Sequence, residues 1–369
     1  MRFSPQQEDA LDAVARWYRE SEKPIFRVFG FAGTGKTTLA RHFAGQIDGT
    51  VQYAAFTGKA AMVMRNNGCH GAATIHSTIY KVEIDEETGR RSFQLKPRFE
   101  LENIRLFIVD ECSMVDEEIG RHLLSFGKPI LVLGDPAQLP PVNGGGFFTN
   151  ADPDVMLTEI HRQAAENPIV RLATDVREGR SLKRGDLGKA RVIGRDEIDS
   201  DIVTAADQVL VGTNKTRTAY NARLRELAGF TSKMPMPGDR LVALKNDSTL
   251  GVFNGGLWEV IHLKESRRHQ LNDHCIRMSV SSLDFENAQP IDVRVREEFF
   301  LGRGQEVDWK ERRGTQEFDF GYALTVHKAQ GSQWENVCLF DESHTFGADR
   351  GRHLYTGITR ASETLTIVM

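Results

Sequence analysis

Four runs in the first 150 residues are apolar almost throughout: IFRVFG (Ile25–Gly30), VQYAAFT (Val51–Thr57), IRLFIVD (Ile104–Asp110) and PILVLGD (Pro129–Asp135). Each ends in Gly, Thr or Asp, and helical patterns separate them. Strands without a polar face, alternating with helices, predict a parallel sheet covered on both sides. Ligands of such sheets meet the carboxyl ends of the strands, where these polar residues fall. The stretch YKVEIDEETGRRSFQLK (Tyr80–Lys96) breaks the pattern. Val82 and Ile84, then Phe93 and Leu95, alternate with polar residues around a Thr88-Gly89 turn, which predicts a small inserted hairpin. A second α/β region holds QVLVGT (Gln208–Thr213), resumes at FDFGYALTVHKAQG and ends in LTIVM. Between these, alternating runs with turn signals such as Asn254-Gly255 predict an all-β insert. The expected organisation is α/β in two parallel-sheet domains. Residues 1–79 with 97–150 form the first, interrupted by the hairpin 80–96; residues 151–234 with 316–369 form the second, interrupted by the insert 235–315.

Charge adds little to this picture. There are 47 Lys+Arg against 51 Asp+Glu, a net charge of −4, so any positive potential for nucleic acid must be local, in a groove. Cys69, Cys112, Cys275 and Cys338 are scattered without a CxxC pair and read as free thiols of a reducing compartment. The stretch MRFSPQQEDALDAVARWY is polar and helical in pattern, unlike a signal peptide, and no apolar run approaches the roughly 20 residues of a membrane span. A soluble cytoplasmic protein with no membrane partner is expected.

GFAGTGKT (Gly30–Thr37) fits G-x-x-x-x-G-K-[ST] in full, after a strand and before a helix. Gly30, Gly33 and Gly35 let the backbone turn its N–H groups inward onto an anion, and the helix beginning near Lys36 adds its positive end. The cradle thus spans Gly33, Thr34, Gly35, Lys36, Thr37 and Thr38. Lys36 is placed for the β- and γ-phosphates of a nucleoside triphosphate and Thr37 for Mg²⁺. Asp110-Glu111 closes a buried strand: Asp110 suits the metal, and Glu111 suits orienting and deprotonating an attacking water. Hydrolysis of the triphosphate follows. LVLGDPAQLPPV (Leu131–Val142) ends another strand with Asp135 and Gln138. LTEIHRQ offers Arg162 and HLYTGITRA offers Arg360, both in the second region. An arginine entering from another domain stabilises charge on the transferring phosphoryl group, so hydrolysis would require the domains to close.

With these motifs in this order, nearly the whole chain resembles superfamily 1 helicases, in particular their RecD-like and Dda-like branch. FGFAGTGKTT, VDECSM, GDPAQLPPV, YALTVHKAQGSQW and YTGITRA carry the resemblance. It implies two RecA-like domains, with the hairpin as a pin and the β insert as an SH3-like barrel. It implies ATP as the nucleotide, Gln7 reading adenine and Gln138 sensing the γ-phosphate. The activity implied is ATP-dependent unwinding of DNA, moving 5′ to 3′ along a single strand. The implied partners are single-stranded DNA, its junctions with duplex, and a single-strand-binding, replication or recombination protein; a monomer in a bacterial or phage-infected cell is expected. A translocase that displaces proteins or remodels RNA without unwinding, and an adaptor using ATP as a structural ligand, are the alternatives.

The resemblance also implies nucleic-acid contacts at Thr57 and Lys59, at Thr74, His76 and Ser77, at Asn214 with Lys215 and Arg217, and at Thr325, His327 and Lys328. Hydroxyls, amides and scattered cations suit a strand held by its backbone with little base readout. His76 and His327 read equally as hydrogen-bonded structural histidines. Phe93 or Tyr80 would stack on the last base pair if the hairpin is a pin, or belong to an incidental surface hairpin if it is not. Trp258 reads as core. Phe56 stands where many relatives carry proline, and Gln333 where the wider superfamily often carries glutamate.

Overall fold

The computed structural model describes residues 3–20, 22–84, 91–140, 146–159, 166–247, 249–264, 274–284 and 289–369. The apolar runs become a six-stranded, wholly parallel sheet in the order Ala73–Thr74, Thr50–Ala55, Ile104–Asp110, Ile130–Gly134, Ile25–Gly30 and Val155–Leu157. Val28, Leu106, Ile108 and Leu133 are fully buried on one of its faces, with Val14 and Leu39 from the helices Pro5–Glu20 and Lys36–Ala44. Phe107, Val109 and Val132 are buried on the other, with Ile75 and Leu123. Burial on both faces is why these strands lack alternation.

The second sheet runs Ala323–Thr325, Gln208–Val211, Trp334–Phe340, Ala361–Val368, Ala190–Ile193 and Gly185–Asp186, parallel except for its last pair. The expected insert is a five-stranded antiparallel sheet, Ile291–Arg296, Cys275–Ser282, Leu257–Leu263, Arg240–Ala243 and Phe318–Phe320. A bridge between Val295 and Gln316 curls its first edge toward its last. Trp258 is buried in its core, as its sequence setting suggests. Tyr80–Ile84 and Arg91–Leu95 pair as the expected hairpin, with Tyr80 opposite Leu95 and Val82 opposite Phe93; its turn, residues 85–90, lies outside the described residues.

Two boundaries shift. Val155–Leu157 hydrogen-bonds along Ile25–Gly30 and so completes the first sheet rather than opening the second domain at 151. Phe318–Phe320 pairs with Arg240–Ala243, so the antiparallel sheet continues past 315. Both are strands of three residues, too short for periodicity to assign to a sheet.

A buried ion pair ties the antiparallel sheet to the second lobe. Arg225, on the helix Asn214–Leu227, holds Asp239 through two hydrogen bonds of 2.8 Å and donates to the Ser232 and Met234 carbonyls. Its guanidinium lies 3.9 Å from the Phe320 ring centroid, and the Tyr322 hydroxyl also donates to Asp239. Removing one member strands the other charge without water. Asp239→Ala should therefore lose about 3–5 kcal/mol from the unfolding transition of this part of the chain, read by denaturant titration.

Candidate nucleotide-hydrolysis site

A cleft of about 260 Å³ lies between the two parallel sheets. Its walls are Gly33, Lys36, Thr37, Asp110, Glu111 and Gln138 from the first lobe, and Gln333 and Arg360 from the second. Gly33 and Gly35 have φ of 80° and 79°, a left-handed conformation that disfavours any side chain, and this turns the loop into the helix Lys36–Ala44. The Lys36 ammonium donates to the Gly30 and Phe31 carbonyls at 2.7 and 3.1 Å. It lies across its own loop, and a phosphate would draw it off. Thr34 is buried, and Thr38 sits in the first turn of the helix. Gln7 is buried beneath the loop, donating to the Thr34 carbonyl at 2.9 Å; it braces the cradle and is not among the residues lining the cleft.

Thr37 Oγ1 donates to Asp110 Oδ2 at 2.8 Å. A hydroxyl and a carboxylate converging beside a phosphate cradle fit Mg²⁺, which takes one or two protein oxygens and completes its shell with water and phosphate. Glu111 follows with φ 51° and ψ 44°, strained for a residue with a Cβ. Such strain, of order 1–3 kcal/mol, persists where surroundings over-determine it, typically at working sites. Burial raises the Glu111 pKa above the ordinary carboxylate value; Arg360 and Lys36 pull it down, Asp110 and Asp135 push it up. Its carboxylate thus has the raised basicity expected of a group that takes a proton from water.

Gln138 lies in the loop after the strand Ile130–Gly134. It is buried, and its Oε1 has no hydrogen-bond partner among the described residues, so an acceptor stands ready at the cleft. The next residue crosses over: Leu139 is 2% exposed and packs in the core of the second lobe. Its N–H donates to Thr356 Oγ1 and its carbonyl accepts from Gln330 Nε2, both at 3.0 Å. Arg360 is buried and aimed by three bonds, to the Thr356 and Ser332 carbonyls and to Thr359 Oγ1. It faces the same cleft as Lys36 and Glu111. Arg162 lies outside the described residues.

The expected strand contacts are less uniform. Thr57 and Thr74 cap helices, accepting from the Ala60 and Ser77 N–H groups at 3.1 Å. Ser77 and Asn214 are exposed. His76 packs among Phe56, Tyr80 and Phe93, centroids 5.7–6.0 Å away, and burial lowers its pKa. Phe93 is 58% exposed at the rim of that cluster. Thr325 is buried and accepts from the Lys328 N–H at 3.3 Å, while His327 packs against Phe346. Burial and nearby Arg217 bring Lys328 down to about 8. Arg217 is itself paired with Asp319 at 2.8 Å. Lys59 departs from expectation: it is buried, ion-paired with Asp284 of the antiparallel sheet and 5.2 Å above the Trp334 ring. In this conformation its charge is paired within the protein. Gly58 beside it has no room for a Cβ, which would lie 2.5 Å from Phe253 of the same sheet region.

Sequence reasoning passed over Tyr355, Gln330 and Leu139, the residues that join the lobes. Tyr355 stands five residues before Arg360 in YTGITRA, on the helix Arg350–Ile358 that ends two residues before that arginine, and this proximity was the available signal.

Such a cleft, with a phosphate loop on one parallel sheet and an arginine from another, defines a two-lobed P-loop protein. Residues 2–192, just over half of the chain, match the family described as AAA domain, and residues 320–368 match the UvrD-like helicase C-terminal domain. The chain belongs to the AAA domain family and, with the UvrD-like helicase C-terminal domain behind it, to the superfamily 1 helicases of the RecD-like kind. It is similar to the ATP-dependent RecD2 DNA helicase of Deinococcus radiodurans, 28% identical over 368 residues covering 90% of this chain and 45% of that protein. It is also similar to the probable conjugal transfer protein TraA of Sinorhizobium fredii, 26% identical over 99% of this chain and 32% of that protein. The chain thus spans less than half the length of either. Among solved structures it is similar in fold to Pif1 helicases described in DNA unwinding at forked dsDNA (TM-score 0.62, 20% identity, 100% of this chain and 92% of that one). Bacteroides Pif1 with ADP-AlF3 and ssDNA gives a TM-score of 0.61 at 19% identity, with the same coverage.

Bound ligand stabilises by mass action, about 2.7 kcal/mol at a hundred times Kd. Magnesium and ATP should therefore raise the melting temperature in differential scanning fluorimetry. Lys36→Ala should melt at the wild-type temperature without nucleotide and lose most of that shift.

Proposed function

We propose that this chain is an ATP-driven motor that moves 5′ to 3′ along single-stranded DNA and opens duplex ahead of it. The observation that carries the reading is the shared cleft: Lys36 and Glu111 on one lobe face Arg360 on the other. ATP would lie on the loop of residues 30–37, drawing Lys36 onto its phosphates. Thr37 and Asp110 would hold Mg²⁺, which when bound neutralises charge on the β- and γ-phosphates. Glu111 takes the proton of the attacking water, Gln138 contacts the γ-phosphate, and Arg360 stabilises the negative charge that builds on the transferring group. Arg162, from the segment that follows the first sheet, is the second proposed arginine. Because Arg360 belongs to the second lobe, hydrolysis and lobe closure are one event, and loss of the γ-phosphate loosens the closure. The strand would cross Ser77, Asn214, His327 and Lys328, with Thr57, Thr74, His76 and Thr325 behind them. Phe93, exposed midway along the hairpin strand Arg91–Leu95, would meet the junction.

The names of the relatives support a DNA substrate, and the direction follows the RecD-like and Dda-like resemblance. Duplexes with a 5′ single-stranded tail should be unwound in the presence of ATP, and those with a 3′ tail left closed. Opening of both, or of neither, would overturn the directional reading; ATP turnover indifferent to single-stranded DNA would favour an adaptor. In the same assay Arg360→Ala should bind ATP normally and hydrolyse it about 10³-fold more slowly.

A lysine brought down to about 8 loses its charge as pH rises through that value. Affinity for a single-stranded oligonucleotide should accordingly weaken several-fold between about pH 7 and 9. Lys328→Arg should flatten that dependence, as fluorescence anisotropy would read.

A further inference from the structure

One residue of the second lobe reaches the phosphate loop itself. Tyr355, on the helix Arg350–Ile358, is 2% exposed. Its hydroxyl donates to Asp135 Oδ2 at 2.7 Å and accepts the Ala32 N–H at 3.0 Å. Ala32 is the third residue of the phosphate loop, and Asp135 begins the segment that carries Gln138. Asp135 Oδ1 in turn accepts the Ala137 N–H at 3.0 Å, which fixes the bend leading to Gln138. The following residue, Thr356, accepts from Leu139, and its carbonyl holds Arg360. A single hydroxyl, donating its one proton and accepting once, therefore joins the loops at the ends of two strands of the first sheet to the helix of the second lobe that leads to Arg360. Burial and the neighbouring Asp135 carboxylate raise the Tyr355 pKa, so it stays a donor across the working range.

Arg177, also from the second lobe, lies 3.6 Å from the ring centroid of Phe31, the residue before Ala32. The phosphate loop is thus touched by the opposite lobe at two successive positions. Neither contact reaches the phosphate-facing groups Lys36 and Thr37, so both leave the anion's place free.

Resting on the hydrolytic reading of this cleft, we propose that Tyr355 is a positioning residue for hydrolysis: its hydroxyl holds the phosphate loop and the Asp135–Gln138 segment in register with Arg360. The bridge aligns the groups that act on the γ-phosphate and makes no contact with the nucleotide. Its loss should fall on turnover and spare binding.

The test uses the full chain with Mg²⁺, ATP and saturating oligo(dT). Tyr355→Phe, which removes only the hydroxyl, should lower kcat about 10- to 100-fold and leave KM for ATP within about threefold. ADP should bind as to wild type while ADP–aluminium fluoride, a mimic of the transferring phosphoryl group, binds at least about tenfold more weakly. In a double-mutant cycle with Asp135→Asn, the two losses in kcat should be less than multiplicative, because both break the same bridge. A kcat within about twofold of wild type, or losses that multiply, would overturn the proposal. So would a lowered melting temperature with equal weakening of ADP and its fluoride complex, since that marks a purely structural residue. If wild-type protein itself hydrolyses no ATP, the hydrolytic reading falls and this inference with it; an active wild type beside an unimpaired Tyr355→Phe removes this inference alone.

Discussion

Leu139 is the constraint on which the arrangement depends. It leaves the first sheet one residue after Gln138 and is buried in the hydrophobic core of the second lobe. A fully buried leucine contributes about 1.5–3 kcal/mol relative to exposure, and here that energy is available only while the lobes are together. The backbone on both sides of its side chain is hydrogen-bonded across the gap, to Thr356 and Gln330. Gln138 therefore cannot change its distance from Arg360 without disturbing the core of the other lobe. The position of Gln138 at the cleft is tied in this way to the position of a whole domain.

The cleft brings an unsatisfied buried group and backbone strain to one place. Away from it, Arg225 is paired with Asp239 and two carbonyls and Arg296 with Glu298 and Glu311, while Gln208 Oε1, Ser343 Oγ and both His353 ring nitrogens are also buried without a hydrogen-bond partner among the described residues. Around the phosphate loop, Gln138 Oε1 is buried without a partner among the described residues, Glu111 holds a left-handed backbone, and Lys36 rests on carbonyls of its own loop. A buried polar atom without a partner costs about 1–3 kcal/mol; the Gln138 oxygen is an acceptor, so a donor such as the attacking water would satisfy it, while Lys36 is the group an anion would draw. Unsatisfied groups and strain meeting at one place give the physical reason to look there for chemistry.

Much of this was legible in the chain because the signals are local. The parallel strands follow from runs apolar on both faces, the hairpin from period-two alternation, and the phosphate loop from spaced glycines between strand and helix. Asp110, Glu111 and Thr37 come together because strand ends of one parallel sheet necessarily share an edge. What could not be read is whatever depends on which surface meets which. Val155–Leu157 and Phe318–Phe320 are too short to declare their sheets. Lys59 looks like a phosphate contact in AAFTGKAA, and only the folded chain brings Asp284, 225 residues later, onto it. Tyr355 looks like one more apolar position of a helix until its hydroxyl is seen between Asp135 and Ala32.

The contacts between modules fall into two physical kinds, and the difference bears on where motion belongs in the proposed cycle. Arg225 and Asp239 are buried with every strong group paired, so separating the antiparallel sheet from the second lobe would strand charge in a dry interior, at about 3–5 kcal/mol. The joins between the two parallel-sheet lobes are of another kind. Leu139, the Tyr355 hydroxyl and Arg177 on Phe31 lie along an interface that already contains an open cleft; the buried pair of Lys59 with Asp284 instead joins the first lobe to the antiparallel-sheet region. When that interface parts, water enters, and each polar group exchanges a protein partner for solvent, so the net loss per hydrogen bond falls to about 0.5–1.5 kcal/mol. In the proposed cycle the hinge would fall between the parallel sheets, with the antiparallel sheet held to the second lobe by Arg225 and Asp239 and parting from the first at Lys59.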